Sequence, residues 1–81
     1  MKYLDFENQE KKYRPFKLNS KNIRENIGKQ IVYLRECDVD KYRGFVFPRF
    51  GILKGVKYSQ VFLDNDDSID KRDVIECGIK I

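Results

Sequence analysis

Two cysteines are the side chains in this sequence with the most reactive chemistry. Cys37 and Cys77 are separated by forty positions, and neither belongs to a CxxC motif. The sequence contains no His, so it offers no imidazole base for a thiol or hydroxyl nucleophile and no zinc site with His ligands. We therefore expect two free thiols rather than a catalytic nucleophile. A disulfide between them stays open, because spacing alone does not show whether the two positions face each other.

A run of acidic residues after position 63 is the second candidate for chemistry. Read as a calcium-binding EF-hand loop, Asp64, Asp66 and Ser68 would take the first three ligand positions. The sixth position is then Ile69 instead of Gly, and the twelfth is Ile75 instead of Glu, so the match fails. We predict an ordinary turn with solvated carboxylates, no metal, no cofactor and no catalytic activity.

The third candidate is the aromatic and basic stretch 42–51, which holds three of the six Phe residues. It is too apolar for an ordinary surface loop, and Pro48 and the two Gly interrupt it too often for a central strand. We predict that residues 36–50 form a long, structured loop with a binding face. The residues predicted to bind are Tyr42, Arg43, Phe47, Arg49, Lys54 and Tyr58.

The exposure of these side chains distinguishes the binding hypothesis from the simplest alternative, in which the aromatic side chains fill the core. Tyr42, Arg43 and Arg49 are expected at the surface. The residues left open between core and surface are Phe45, Phe47 and Phe50. If the Phe side chains fill the core, the stretch is structural and offers little to a partner.

The elements that must position this stretch are mostly β. Apolar and β-branched runs predict five short strands, and the one over 30–35 is apolar on both faces, as in a buried strand. The others are predicted over 50–57, 60–63, 68–69 and 74–81. In the second strand, one face is expected to carry Phe50, Ile52, Lys54 and Val56.

Two short helical segments complete the pattern. A helical turn over 20–26 is predicted to be capped by Ser20 and to end at Gly28. A single turn from Asp70 to Asp73, capped by Asp70, precedes the last strand. We predict a mainly all-β fold, a small five-stranded SH3-like barrel over 28–81. Residues 1–27 are predicted to form a polar, basic N-terminal arm that is partly ordered by docking its aromatic side chains.

Charge is distributed unevenly along the chain. Residues 1–63 carry fourteen Lys or Arg against seven Asp or Glu, a net of +7, and residues 64–81 carry three against six, a net of −3. The basic excess favours an anionic partner, with an affinity that salt weakens. The acids at Glu36, Asp38 and Asp40 would repel a phosphate backbone from the loop, and this favours a protein partner there.

Three segments carry a resemblance to a known class of proteins. The stretches 28–34, 43–52 and 72–76 resemble short bacterial and prophage-encoded proteins with SH3-like barrels, over roughly residues 28–76. The resemblance implies a non-catalytic binding module, with an origin in a mobile element, and it brings no catalytic residues with it.

The functional prediction follows from these points. We expect a non-enzymatic, cytoplasmic module that binds a protein through the loop 36–50 and does not enter a membrane, since neither a spanning segment nor a signal core is evident. The alternative is RNA or single-stranded DNA bound through the same aromatic and basic surface and the arm. Self-association through exposed edge strands is a further hypothesis.

Overall fold

The computed structural model of the protein describes residues 13–65 and 68–81. Predictions for residues 1–12 of the arm, and for Asp66 and Asp67 in the acidic turn, lie outside the described residues. The strands are β1 (Tyr13–Pro15), β2 (Gln30–Arg35), β3 (Val39–Asp40), β4 (Phe45–Val46), β5 (Arg49–Lys57), β6 (Gln60–Leu63), β7 (Ser68–Asp70) and β8 (Val74–Lys80). One helix, α1 (Ser20–Glu25), and two single 3-10 turns, Glu36–Asp38 and Lys71–Asp73, complete the elements.

Six of these strands form one antiparallel sheet in the order β1-β8-β2-β5-β6-β7, and β3 and β4 form a separate hairpin. The prediction of a mainly β fold is confirmed. The prediction of five strands is wrong, because the described residues contain eight. Within these two ranges the sheet is open, with β1 and β7 at its edges, and no closed barrel is observed.

The additional strands arise where the sequence lacks long apolar runs. Strand β1 has only three residues; it lies in the predicted arm and pairs with β8. Strands β3 and β4 have two residues each and lie inside the predicted loop 36–50. Such short strands form because a neighbouring strand supplies hydrogen-bonding partners, so their own composition gives little signal.

Strand β2 lies between two apolar clusters, which explains why its sequence is apolar on both faces. Ile31 and Tyr33 enter the main core, whereas Val32 and Leu34 enter a smaller cluster on the other face of the sheet. The other fully buried members of the main core are Ile23, Leu53, Val61, Leu63, Ile69, Cys77 and Ile79. The prediction of a doubly buried strand at these positions is confirmed.

Strand β5 changes its pairing partner along its length. It pairs with β2 up to Ile52 and with β6 from Leu53 onward, and the register shifts between Leu53 and Gly55. This bulge breaks the simple alternation of side chains, so Phe50 is half-exposed while Val56 packs against the main core. The prediction that these two residues share one face is therefore wrong.

The described part of the predicted arm is integrated into the sheet and the core. Strand β1 adds to the edge of β8, and Phe16 continues the pairing through a hydrogen bond from its backbone N to the carbonyl of Cys77 (2.9 Å). Ile23 of α1 is completely buried in the main core. Residues 13–27 thus share the core of residues 28–81 and do not form a separate unit.

Polar side chains cap the two predicted helical segments, although the cap of the first is not the predicted residue. The side chain of Asn19, rather than Ser20, caps α1 by accepting a hydrogen bond from the backbone N of Asn22 (2.7 Å). The helix ends with Asn26 as its C-cap, two residues before Gly28. The predicted cap of the last helical turn is confirmed, because Asp70 accepts from the backbone N of Arg72 (2.9 Å).

A search of the described residues for a helix long and apolar enough to cross a membrane finds none.

Candidate functional site

The predicted loop begins with a buried carboxylate. Asp38 ends the 3-10 turn that follows β2, and only 4% of its surface is exposed. One of its oxygens, Oδ2, accepts hydrogen bonds from the backbone N (3.2 Å) and from Nε (3.0 Å) of Arg35. The other, Oδ1, accepts from Nε of Arg49 (3.0 Å), the first residue of β5. Both carboxylate oxygens are therefore satisfied, and Asp38 joins the two ends of the loop.

These contacts fix the charge state of Asp38. Burial by itself raises the pKa of a carboxyl group, but hydrogen bonds from Arg35 and Arg49 outweigh it, so the pKa of Asp38 lies below its ordinary value of 3.8. The hydrogen bond to Asp38 in turn raises the pKa of Arg35. Asp38 is therefore ionised at neutral pH and fully paired, and we call the cluster of Arg35, Asp38 and Arg49 the clasp.

The hairpin of β3 and β4 projects from this clasp and is ordered by local hydrogen bonds. Asp40 accepts hydrogen bonds on Oδ1 from the backbone N of Tyr42 (3.1 Å) and of Arg43 (3.2 Å). Its carbonyl accepts from the backbone N of Gly44 (2.8 Å), whose φ of 73° suits the turn because Gly has no Cβ. Such a side chain-to-backbone turn holds the tip in one conformation.

Apolar contacts hold the hairpin against the sheet. Val39 and Val46, which are paired across the hairpin, pack against Val32 and Leu34 of β2. The backbone N of Phe47 donates to the carbonyl of Asp38 (2.9 Å), so the chain that leaves β4 returns to the clasp. The hairpin is thus held at its base by the clasp and the hydrogen bond from Phe47, and on its inner side by the two Val residues.

Four aromatic side chains are left at the surface by this arrangement, and we call them the aromatic surface: Tyr42, Phe45, Phe47 and Phe50. Tyr42 is fully exposed, and the three Phe residues are 51–60% exposed. The question that the sequence left open is thereby answered in favour of the surface for these Phe residues. A ring of the N-terminal strand supports the last of them, since the centroids of Tyr13 and Phe50 are 6.1 Å apart.

An open cavity of about 340 Å³ lies at the aromatic surface. The residues that line it are Cys37, Val39, Asp40, Lys41, Tyr42 and Phe47. Its volume is near the lower end of the range of about 300–1,000 Å³ that ligand pockets occupy. Its wall combines apolar side chains with one acid and one amine.

The basic residues of the loop are each paired with an acid of the same loop. Arg43 Nε lies 3.9 Å from Asp40, and Lys41 Nζ lies 3.8 Å from Glu36. With the bond from Arg49 to Asp38, three cations meet three acids, and the formal charge of residues 36–50 is zero. The surface is therefore aromatic and locally neutral rather than basic.

The structure brings together four of the six residues predicted to bind and separates two. Tyr42 and Phe47 line the cavity, Arg43 lies on the same hairpin, and Arg49 belongs to the clasp. Lys54 lies at the bulge of β5, and Tyr58 follows the end of that strand. The two ends of a nine-residue strand are about 26 Å apart at the rise of extended chain, so Tyr58 is remote from the aromatic surface.

The two cysteines differ in environment. Both are free; Cys37 is exposed at the cavity, whereas Cys77 is buried in the main core. Burial raises the pKa of the Cys77 thiol to about 12, so it is a neutral apolar side chain at physiological pH. Among residues 13–65 and 68–81, no three Cys, Asp or Glu side chains are grouped so that they could hold a metal ion.

Sequence reasoning missed Asp38 as the residue that organises the site, along with the supporting pair Val39 and Val46. The available signal was the spacing of Arg35 and Asp38, which are three residues apart and meet in one turn. The partner at Arg49 is eleven positions from Asp38 and has no local signal.

No protein-family model, curated protein or solved structure matches this chain.

Proposed function

We propose that this protein is a non-enzymatic binding module that captures a protein partner through the aromatic surface. The observation that carries this proposal is the exposure of four aromatic side chains within nine positions, from the tip of a hairpin that is fixed at its base to the start of β5. Aromatic side chains are the usual energetic anchors of protein interfaces, because they bury a large area with little loss of rotamer freedom.

The charge of the loop supports a protein over a nucleic acid at this surface. A phosphate backbone is held by an excess of positive charge, whereas Lys41, Arg43 and Arg49 each have an acid within 4 Å, and the formal charge of residues 36–50 is zero. Arg43 is largely exposed beside the rings and is suited to the hydrogen-bonding rim of a protein interface. RNA or single-stranded DNA bound through the same surface is therefore the weaker alternative.

For the fold, we propose an SH3-like barrel, and the change of pairing partner within β5 supports it. One long strand that serves two halves of a sheet, with a bulge at the change, is the device by which small sheets curl. The origin in a mobile element stays a prediction from the resemblance. For the location we propose the cytoplasm, where the two unbonded thiols of Cys37 and Cys77 would remain reduced.

The proposal is tested by removing the anchors without disturbing the clasp. The double variant Tyr42→Ala with Phe47→Ala should lose capture of a discrete protein from a lysate of the source cell, in the presence of nuclease. Its thermal unfolding midpoint should stay close to that of the parent, because both side chains are exposed. The matched control is Phe62→Ala with Ile75→Ala, which removes two partly exposed apolar side chains elsewhere and should keep capture.

Three results would count against the proposal. Equal loss in the control pair would place binding elsewhere, and bands that vanish with nuclease would indicate nucleic acid. Recovery of only the untagged form of the same chain would indicate self-association.

A further inference from the structure

A group of cations around α1 differs from those of the loop in having no acidic partner. Lys21, Arg24 and Lys29 are all exposed, and none makes an ion pair with any residue in 13–65 or 68–81. Glu25 is the only acid in the described segment from α1 to the start of β2. Three cations without an acidic partner therefore lie within nine positions, on the side of the sheet where Ile23 enters the main core, whereas the hairpin packs on the other side.

Backbone contacts bring these cations to one side of the molecule. The backbone N of Gly28 donates to the carbonyl of Leu53 (2.8 Å), and the backbone N of Leu53 donates to the carbonyl of Lys29 (3.0 Å). Lys29 thus lies opposite Leu53 and shares the face of the sheet on which Leu53 enters the main core. Lys54, the next residue of β5, lies on the other face, where its neighbour Gly55 pairs with the exposed Phe62. Helix α1 packs against β5 and inserts Ile23 into the core, which places its exposed cations on the same side of the sheet as Lys29.

The exposed ring of Tyr58 adjoins the same side. It is 86% exposed in the two-residue turn between β5 and β6. The next residue, Ser59, accepts at its carbonyl from the backbone N of Lys71 (2.9 Å). The Nζ atom of Lys71 donates to Oγ of Ser20 at the start of α1 (2.9 Å), so one residue links the turn to the helix.

The backbone of Tyr58 is unusual. Its φ is 55°, and Tyr58 is the one residue other than Gly with a positive φ in residues 13–65 and 68–81. The first position of a two-residue hairpin turn with positive φ is normally occupied by Gly, since a side chain there is strained. An exposed aromatic ring at such a position contributes nothing to the core, and strained residues of this kind concentrate at binding sites.

We propose that Lys21, Arg24, Lys29 and Tyr58 form a second surface that binds single-stranded nucleic acid. The three cations contact successive phosphates, and the ring of Tyr58 stacks on an unpaired base. Stacking requires unpaired bases, and this favours a single strand over a duplex. This surface is separate from the aromatic surface, so either function can fail without the other.

The test measures binding of fluorescein-labelled oligo(dT) and oligo(rU), each of twenty nucleotides, by fluorescence anisotropy. We expect binding at low salt and a fall of log K with log salt of slope about −2, for three contacts to a single strand. Lys21→Glu with Lys29→Glu should weaken binding by tenfold or more. The matched control, Arg14→Glu with Lys80→Glu, has the same charge change at the β1 edge of the sheet and should weaken it less than threefold.

The variant Tyr58→Gly separates nucleic acid from a general polyanion. Gly removes the ring and relieves the strained backbone, so the melting temperature should hold or rise while oligonucleotide affinity falls by about tenfold. Retention on heparin should change little in this variant. The proposal is overturned if no binding occurs at low salt, if the control pair loses as much as the test pair, or if Tyr58→Gly binds oligonucleotides as well as the parent does.

Discussion

The Nε atom of Arg49 donates a 3.0 Å hydrogen bond to Oδ1 of Asp38, eleven positions earlier in the chain. This bond joins the turn after β2 to the first residue of β5, and it closes the base of the loop that carries the aromatic surface. The position of the exposed rings therefore depends on a carboxylate that has almost no contact with solvent.

The first prediction concerns the stability of this clasp. Asp38→Asn removes a buried charge that accepts from two guanidinium groups, and we expect it to lower the free energy of unfolding by about 2–4 kcal/mol. Arg49→Ala should cost less, since its side chain is half-exposed and Arg35 still pairs with Asp38. Urea denaturation measures both, with Asp73→Asn, an exposed carboxylate, as the control. A loss in Asp73→Asn as large as that in Asp38→Asn would contradict the role of the clasp.

The second prediction is the response of stability to acid. The folded-state pKa of Asp38 is below its ordinary value, and hydrogen bonds from Arg72 lower the pKa of Asp70 to about 2. A group whose pKa is lower when folded contributes stability above its unfolded pKa and loses it as pH falls through the folded pKa. The free energy of unfolding should therefore decrease from about pH 5 to about pH 2.

Variants identify the groups responsible for this decrease. Asp38→Asn with Asp70→Asn should be less stable at neutral pH and should show a flatter dependence on pH than the parent. Urea denaturation at a series of pH values between 2 and 7 measures the two curves. Parallel curves would show that other groups cause the acid sensitivity.

The third prediction distinguishes the two thiols. Cys37 is exposed, whereas Cys77 is buried and burial raises its pKa to about 12. One thiol should react with iodoacetamide in the native protein, and the second only after unfolding. Mass spectrometry of digested protein assigns the modified residue. The variant Cys37→Ser should show no fast reaction, and rapid labelling of Cys77 in the native protein would mean that the core opens at β8.

Runs of β-branched and apolar residues account for the parts of the fold that the sequence predicted well. Strands β2 and β6 were predicted with the bounds that the structure shows, because burial of Ile31, Val32 or Val61 imposes a strong composition. The alternation in β5 was not predictable, because a bulge depends on its pairing with β6 rather than on local preference.

The candidate site also has features that the sequence predicted and features that it did not. The rings of the aromatic surface were visible in the sequence, but their exposure depends on how β3 and β4 pack, which composition does not reveal. The bond between Asp38 and Arg49 joins residues far apart in sequence. Sequence reasoning saw the charges of the loop and missed that each cation has a partner.

The last prediction concerns Gly51, which faces the core at the point where β5 leaves β2. A Cβ at this position would lie 2.8 Å from Cδ1 and 3.3 Å from Cβ of Leu63. Leu63 is itself buried and cannot move freely, so Gly51→Ala should lower the free energy of unfolding by about 1–3 kcal/mol through overpacking. Gly55 is the matched control in the same strand, because a Cβ there meets no atom within 4 Å. Gly55→Ala should be neutral or slightly stabilising.

A double-mutant cycle separates overpacking from a general effect of Ala in this strand. Leu63→Ala alone should be destabilising, since it leaves a cavity in the main core. In combination with Gly51→Ala, the added methyl group occupies part of that cavity, so the loss should be smaller than the sum of the two single losses. Chemical denaturation of the four proteins gives the interaction energy. If the two losses simply add, the contact between Gly51 and Leu63 does not limit the packing, and the close approach of β5 to β6 has another cause.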